Sequence, residues 1–328
     1  MSIVCFGGGI GATRLWRALA DDIGQESLTL VVNTADDLWH YGLRVCPDLD
    51  TVTYGLAGKQ DQERGWGLLD ESFAAMATLA ELGEDVWFNL GDRDLATHLL
   101  RTQLLIRGVP LSEVTAHLAG ANKVSTRILP MCEEEVSTEV FEKGAGWTTF
   151  QEYHVRHHAE PPVEEIRYRG IEVARTPPAV LEALETASLV VLGPSSPIAS
   201  ILPILSVGET RAAIQAAPVP VVAVTPIVSR APINDPGDAH RAKLRGRLMA
   251  ARGLEHTASA AASLYTDLVD FFVIDEADQE EATHIHALGM TPIVARTLTH
   301  VNPTCAPDLV HAVTSQMSIP SKPVKQLP

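Results

Sequence analysis

The sequence predicts an α/β protein: a mostly parallel sheet with helices on both faces and a small antiparallel insertion. Three observations predict it. Short apolar runs at 3–6, 28–32, 189–192, 219–224, 271–274 and 292–294 alternate with helical stretches, the rhythm of a parallel sheet buried on both faces. The first run breaks straight into Gly7-Gly8-Gly9-Ile10-Gly11 and then a helix, the arrangement by which such proteins bring free helix amides and a favourable dipole onto an anion. Between about 136 and 175 the alternation gives way to β-prone segments around Pro161-Pro162 and Gly170.

In chain order, Ile3-Val4-Cys5-Phe6 is the first strand, and the helix after the glycines runs over 12–20. The run 28–32 is the second strand and ends at Asn33. Phe73, Met76, Ala77 and Ala80 recur at helical spacing and predict a helix over 70–82. Val86-Trp87-Phe88 reads as a short strand leading into Gly91-Asp92-Arg93-Asp94. Leu95, Leu99 and Thr102 mark the next helix with Asp94 as its cap, and Ser112 caps another that ends near Gly120. Thr148-Thr149-Phe150 and 166–173 are the strands of the insertion. After Pro177-Pro178 a helix reaches 187 and the alternation resumes. The expected organisation is a first core segment over 1–135, the insertion over 136–175, a second core segment over 176–318, and a loose tail over 319–328.

The chain has 328 residues, 46% of them hydrophobic, which is ample for a large core. Its net charge of -16, from 41 acidic against 25 basic residues, excludes a nucleic-acid or anionic-membrane binder, since those need basic surfaces. Four cysteines, Cys5, Cys46, Cys132 and Cys305, lie far apart without a CxxC pair, so neither a disulfide framework nor a zinc site is expected. No apolar run approaches the ~18 residues of a membrane span, and the N-terminus enters a core strand without a basic leader region. A cytoplasmic protein is expected.

Gly7, Gly9 and Ala12 fit a dinucleotide fingerprint, but Asn33-Thr34 stand where the fingerprint's acidic partner belongs, and no Gly-Lys-Ser/Thr follows as in a nucleotide-triphosphate P-loop. Asp36, Asp37, Asp48 and Asp50 on nearby loops make a hard oxygen set suited to magnesium shared with a phosphate; the plainer reading is solvated loops with capping aspartates. Arg93 either forks onto a phosphate or pairs with a neighbouring carboxylate. His98, one helical turn beyond Asp94, is by itself a structural histidine. Gly193-Pro194-Ser195-Ser196-Pro197 follows a strand, where open α/β sheets bind ligands, or is an ordinary turn. His154, His157 and His158 are read as surface residues. No Ser-His-Asp or Cys-His set is apparent. The pieces point to phosphoryl or nucleotidyl chemistry with a divalent metal, with a nicotinamide oxidoreductase and a non-catalytic nucleotide-binding protein as the alternatives.

Taken in order, Gly7-Gly8-Gly9-Ile10-Gly11-Ala12, Val32-Asn33-Thr34-Ala35-Asp36-Asp37, Gly42-Leu43-Arg44-Val45-Cys46-Pro47-Asp48-Leu49-Asp50-Thr51, Gly65-Trp66-Gly67 and Trp87-Phe88-Asn89-Leu90-Gly91-Asp92-Arg93-Asp94-Leu95-Ala96-Thr97-His98 closely resemble the 2-phospho-L-lactate transferase family of coenzyme F-420 biosynthesis. Leu192-Gly193-Pro194-Ser195-Ser196-Pro197 with Ser200-Ile201-Leu202-Pro203-Ile204-Leu205 resembles its second signature. The resemblance implies a Rossmann-like core, a homodimer, and a Mg2+-dependent reaction. In it the ribityl hydroxyl of the deazaflavin Fo attacks a GDP-linked small acid phosphate (phospholactyl, phosphoenolpyruvyl or phosphoglyceryl) and GMP leaves. It further implies that Gly7, Gly8, Gly9, Gly11, Thr13, Ser195 and Ser196 hold the guanosine diphosphate part, and that Asp36, Asp48 and Asp50 bind magnesium or orient the hydroxyl. Asn33, Asp37, Asp92, Arg93 and His98 complete the pocket, with Asp36, Asp50 and Arg93 as the catalytic set. Trp39 and Trp66 either cover a flat ring or pack in the core. One departure stands out: at 225–237 the family's paired glycines are missing from Thr225-Pro226-Ile227-Val228-Ser229-Arg230-Ala231-Pro232-Ile233-Asn234-Asp235-Pro236-Gly237.

Overall fold

A computed structural model describes residues 2–299 and 302–318; the expected tail at 319–328 lies outside the described residues. The strands are β1 Ile3–Gly7, β2 Leu28–Val32, β3 Leu38–His40, β4 Leu43–Val45, β5 Arg127–Pro130, β6 Ser137–Glu142, β7 Gly146–Thr149, β8 Val163–Arg169, β9 Leu189–Leu192, β10 Val221–Val224, β11 Phe271–Asp275 and β12 Thr291–Ala295. Seven form one sheet in the order β12-β11-β10-β9-β1-β2-β5, and every pairing in it is parallel. The mostly parallel α/β class read from the sequence is therefore the class observed.

Why those runs become strands is visible in their burial. All residues of β1, β2, β9 and β10 are buried, and alternate side chains enter opposite layers. Val4, Phe6, Val31, Val190 and Leu192 join one hydrophobic cluster; Ile3, Cys5, Leu30, Val32, Leu189 and Val191 join the other. Helices α1 Gly9–Ile23, α2 Pro47–Leu56, α3 Ala74–Glu81, α4 Asp92–Ile106 and α5 Leu111–Ala121 come from the first half of the chain. The second half contributes α6 Pro178–Glu185, α7 Leu202–Ser206, α8 Thr210–Ala216, α9 Pro236–Ala250, α10 Ala258–Ala262, α11 Ala282–Ala287 and α12 Ala306–Thr314. Leu15, Trp16 and Leu19 of α1 are buried in the second cluster, so this helix is held rigidly over the sheet.

Two small antiparallel units decorate the carboxyl end of the sheet. Strands β3 and β4 form a hairpin turned by Tyr41 (φ 49°) and Gly42 (φ 74°), the paired left-handed geometry of a tight hairpin. Strands β7, β6 and β8 form the insertion, with β6 central. It is tied to the core by the Thr138 amide, which donates to the Ala35 carbonyl (2.8 Å), and by the Tyr168 hydroxyl, which donates to the Ile198 carbonyl (2.5 Å).

Several local expectations are corrected. Residues 86–88 are not a strand: Val86, Trp87 and Phe88 pack on Leu38, Val45, Met76 and Leu90, and Trp87 and Phe88 stack edge-on around His40. An apolar triplet met no strand edge, and hydrophobic contact alone satisfied it. The helix expected over 70–82 starts later, at Ala74, because the Asp92 carboxylate accepts from the Ala74 and Ala75 amides and fixes its first turn. Asp94 does not cap α4; Gly91 holds that position, and the Glu71 carboxylate takes the Arg93 and Asp94 amides (2.8 and 2.9 Å). The two segments thus cap each other. Ser112 lies inside α5, which starts behind Pro110. The strand expected at 166–173 is β8, displaced towards Val163, and the strand expected at 219–224 begins at Val221. No helix among the described residues is long and apolar enough to cross a membrane.

Candidate functional site

Strand β1 leads on to β2 on one side, whereas β9, its neighbour on the other side, leads on to β10. The carboxyl ends of β1 and β9 therefore flank the point where the winding direction reverses, the place where open α/β sheets leave a crevice for ligand. The glycine loop and the 193–197 loop meet there. The Ser195 hydroxyl bonds the Gly8 amide and the Gly8 carbonyl, both at 2.9 Å. A Cβ on Gly7 would overlap Ser195 Oγ, one on Gly8 the Asp48 carboxylate, and one on Gly11 the Pro194 carbonyl. Glycine is required here by close approach, and at Gly9 by its φ of +71°. Thr13 supports the loop from one turn on, its buried hydroxyl donating to the Gly9 carbonyl (2.8 Å). Ser196 takes a different part: its hydroxyl accepts from the Ala199 amide and starts the helical turn over 197–201.

The acidic loops converge on this N-terminus. Asp48, in the first turn of α2, is buried with its carboxylate on the Gly9 amide and on Asn33 Nδ2 (3.0 Å). Asn33 is itself fixed at the end of β2, where its Oδ1 accepts from the Ala35 amide (3.1 Å). Asp36 and Asp37 are buried on the same loop, each with Oδ1 lacking any hydrogen-bond partner. Burial, then the charge of Asp48 and of Asp37, pushes the Asp36 carboxyl well above the usual carboxylate range. Burial pushes Asp48 up to about 7 against the opposing bond from Asn33, and Asp37 up to about 6 although Arg44 stands 3.3 Å away. Buried carboxylates that repel one another and keep unpartnered oxygens fit a divalent cation held by hard oxygen ligands.

A second layer lies behind the first. Asp50 is held by the fully buried Arg101 guanidinium, and His98 Nδ1 lies 3.2 Å from Arg101 Nη1. His98 Nε2 approaches Asp94 Oδ2 at 3.5 Å, and the Tyr54 hydroxyl donates to Asp94 at 2.6 Å. Burial raises the Asp94 carboxyl, yet His98 and Tyr54 outweigh it and hold it below its ordinary value. Asp50, Asp94 and His98 bring their ligating atoms within 4.8 Å of one another. Arg101 already neutralises that group, and a dication there would face a guanidinium at contact distance; the unpartnered carboxylate oxygen of Asp36, beside the Asp48 charge, fits a cation better. The expected set of Asp36, Asp48 and Asp50 is thus divided, with Asp50 turned to Arg101.

Other expected residues lie further out. Asp92 spends both carboxylate oxygens on Ser72 and on the amides that start α3. Arg93 is exposed and donates to the Leu69 carbonyl (2.9 Å). Trp39 and Trp66 are 50% and 40% exposed, which excludes core packing for either; Arg44 lies over Trp39 and Arg64 over Trp66. The reading of His154 and His157 as surface residues is corrected. His154 is half-buried and stacked on His240, and His157 Nδ1 lies 2.8 Å from the buried Glu142. Sequence reading passed over Arg44, Tyr54 and Arg101. For Arg101 a signal was present, since Asp94, His98 and Arg101 share one face of α4 at i, i+4 and i+7.

Comparison with known proteins bears on this arrangement. The family model described as 2-phospho-L-lactate transferase CofD matches residues 3–295. The chain belongs to the 2-phospho-L-lactate transferase family. A phosphoenolpyruvate transferase of Kitasatospora aureofaciens is 42% identical over 296 residues, covering 88% of this chain and 90% of that one. A 2-phospho-L-lactate transferase of Methanosarcina mazei is 37% identical over 296 residues, covering 90% and 94%. A UPF0052-family protein of Bacillus halodurans shares the fold, with a TM-score of 0.59 at 17% identity over 90% of this chain and 92% of its own.

Proposed function

We propose that the protein is a Mg2+-dependent transferase that moves a small acid phosphate from its GDP-linked donor to the ribityl hydroxyl of the deazaflavin Fo, releasing GMP. The observation that carries this reading is the buried Asp48 carboxylate standing against the glycine loop at the reversal point of the sheet, with the buried Asp36 as its charged neighbour. The acid is phosphoenolpyruvyl in this reading, because five relatives named phosphoenolpyruvate transferase are 40–42% identical, whereas those named 2-phospho-L-lactate transferase are 37–38% identical.

Asp36 and Asp48 would hold the cation, which would supply charge neutralisation between the carboxylates and the diphosphate. Gly8 and Gly9 let the backbone approach the phosphates, and Ser195 keeps the two loops in register. Asp36 also takes the proton of the ribityl hydroxyl, through the carboxylate oxygen that the cation would leave free. The new oxygen–phosphorus bond forms on the phosphorus that carries the acid, and the bond to the GMP phosphate oxygen breaks with its electron pair on GMP. Asp50, fixed by Arg101 and His98, positions α2 and with it Asp48. Catalysis of this kind rests on positioning and electrostatics, with little covalent work for side chains. A nicotinamide reading has less support: Asn33 fills the position of the acidic ribose partner, and its amide is engaged by Asp48.

The test offers Fo and Mg2+ with the phosphoenolpyruvyl, phospholactyl and phosphoglyceryl derivatives of GDP, and reads GMP release and product mass. The expected result is a phosphoenolpyruvyl-Fo mass with one GMP released per product. Absence of GMP with all three donors refutes the reading.

A further inference from the structure

Beside the glycine loop the chain collects cations that the transfer reaction above does not use. Arg14 stands one turn beyond Ile10 on α1, and α9 brings Arg241 to the same place: a Cβ on Gly65 would lie 3.2 Å from Ile10 Cδ1 and 3.6 Å from Arg241 Nη1. Arg241 is the electrostatic neighbour of Arg14, Arg245 and His154. The acids facing the group are Asp238, paired with Arg241 at 2.5 Å, and Asp235 at 3.9 Å. Arg245, one turn further along α9, forms no ion pair among the described residues, and its Nε is buried without a hydrogen-bond partner. His256 packs beside it with Nε2 also buried and unpartnered. His154 stacks on His240 of α9 with ring centroids 5.0 Å apart.

Burial, followed by the charge of Arg241, lowers Arg245 to about 10, and burial with the neighbouring cations lowers His154 to about 4. These groups sit where their charged forms are poorly solvated, yet the arginines keep their charge. A buried guanidinium without an ion-pair partner among the described residues, as at Arg245, is uncommon unless an anion completes it, and the planar fork of arginine matches a phosphate or carboxylate. The helical turn Glu152–Arg156 links this cluster to the acidic loop, since Gln151 immediately before it donates to the Asp36 carbonyl (3.2 Å).

We propose that Arg14, Arg241 and Arg245, converging from α1 and α9 beside the glycine loop, form an oxyanion subsite for a negatively charged group of the donor. The proposal rests on the transferase reading for the identity of the donor, while the subsite itself is defined by anion binding alone. The segment that joins β10 to α9 leads directly into the helix that supplies Arg241 and Arg245.

The experiment compares the full-length protein with Arg245→Gln, Arg241→Gln and, as a control, Arg230→Gln, whose side chain is exposed and paired with Glu280. Each is titrated by calorimetry with GDP, phosphoenolpyruvate, pyruvate and inorganic phosphate, and melted without ligand. The expected result is at least tenfold weaker binding of one or more of these probes in both cluster variants, with the control unchanged. Loss confined to GDP assigns the anion to the nucleotide phosphates; loss for phosphoenolpyruvate and pyruvate assigns it to the acid carboxylate. Arg245→Gln is expected to melt at or above the wild-type temperature without ligand, because it removes an unpaired buried charge; a purely structural arginine would lower it. Equal affinities for every probe in wild type and cluster variants overturn the subsite, whether or not transfer to Fo is observed. Arginine-dependent binding without transfer overturns the donor assignment and leaves the subsite standing.

Discussion

Replacing Asp48 by asparagine tests the electrostatics of the crevice most directly. The folded carboxyl is pushed up to about 7 from an ordinary 3.8, principally by burial. A raised folded-state value means that the neutral form is favoured in the folded protein. The stability this contributes is complete below about pH 4 and is lost as pH rises through about 7. Between pH 5 and pH 7 the unfolded chain is ionised and the folded carboxyl is not, so wild type loses about 1.4 kcal/mol per pH unit, or about 3 kcal/mol across the interval. Asparagine cannot ionise and keeps one oxygen for the Gly9 amide. Whatever fixed offset the substitution brings, the difference between variant and wild type should move by about 3 kcal/mol in the variant's favour from pH 5 to pH 8. For a chain of this size that is roughly 5 °C in melting temperature. The assay is thermal or urea unfolding of both proteins in metal-free buffer at the two pH values. Adding millimolar Mg2+ at pH 8 should raise the melting temperature of wild type and leave the variant almost unmoved, because binding to the folded state alone stabilises it. A variant–wild-type difference that is the same at pH 5 and pH 8 would refute the reasoning, as would an equal Mg2+ response in the two proteins.

Two further substitutions read the supporting structure. Asp50→Ala leaves the fully buried Arg101 without its carboxylate and should cost about 3–5 kcal/mol in urea unfolding, with Asp50→Asn recovering much of it; a neutral Asp50→Ala disproves the pairing. Gly8→Ala has an acceptable backbone, its φ being -168°, but its methyl would overlap the Asp48 carboxylate. It should lower stability by about 1–3 kcal/mol and GMP release by at least a hundredfold, and full activity would show that Asp48 need not stay on the loop.

How far the sequence could be read depended on the range of the interactions involved. Strands β1, β2 and β9 were legible because full burial on two faces demands an apolar, β-prone run, and Leu189–Leu192 supplies nothing else while Leu28–Val32 admits only Thr29. The glycine loop was legible because a strand entering a helix through several glycines has few other uses. Asp36, Asp37 and Asp48 were found as a cluster by proximity along the chain. Asp92 was not legible as a helix cap: the amides it serves belong to a helix 17 and 18 residues earlier, and nothing local distinguishes that carboxylate from a ligand. Arg101 neutralises Asp50 across 51 residues, a distance over which spacing rules carry no information. The failed strand at 86–88 shows the same limit, because an apolar triplet records that it will be buried and not what will bury it.

The two loops of the crevice are fastened to each other through Ser195 and Gly8, 187 positions apart. Neither stretch alone has the other's groups to settle against, so a nascent chain released only as far as α6 carries the glycines without the serine that orders them. Binding competence should therefore arise late in biosynthesis, together with completion of the sheet, and an N-terminal fragment ending before β9 should neither retain nucleotide nor compete for it.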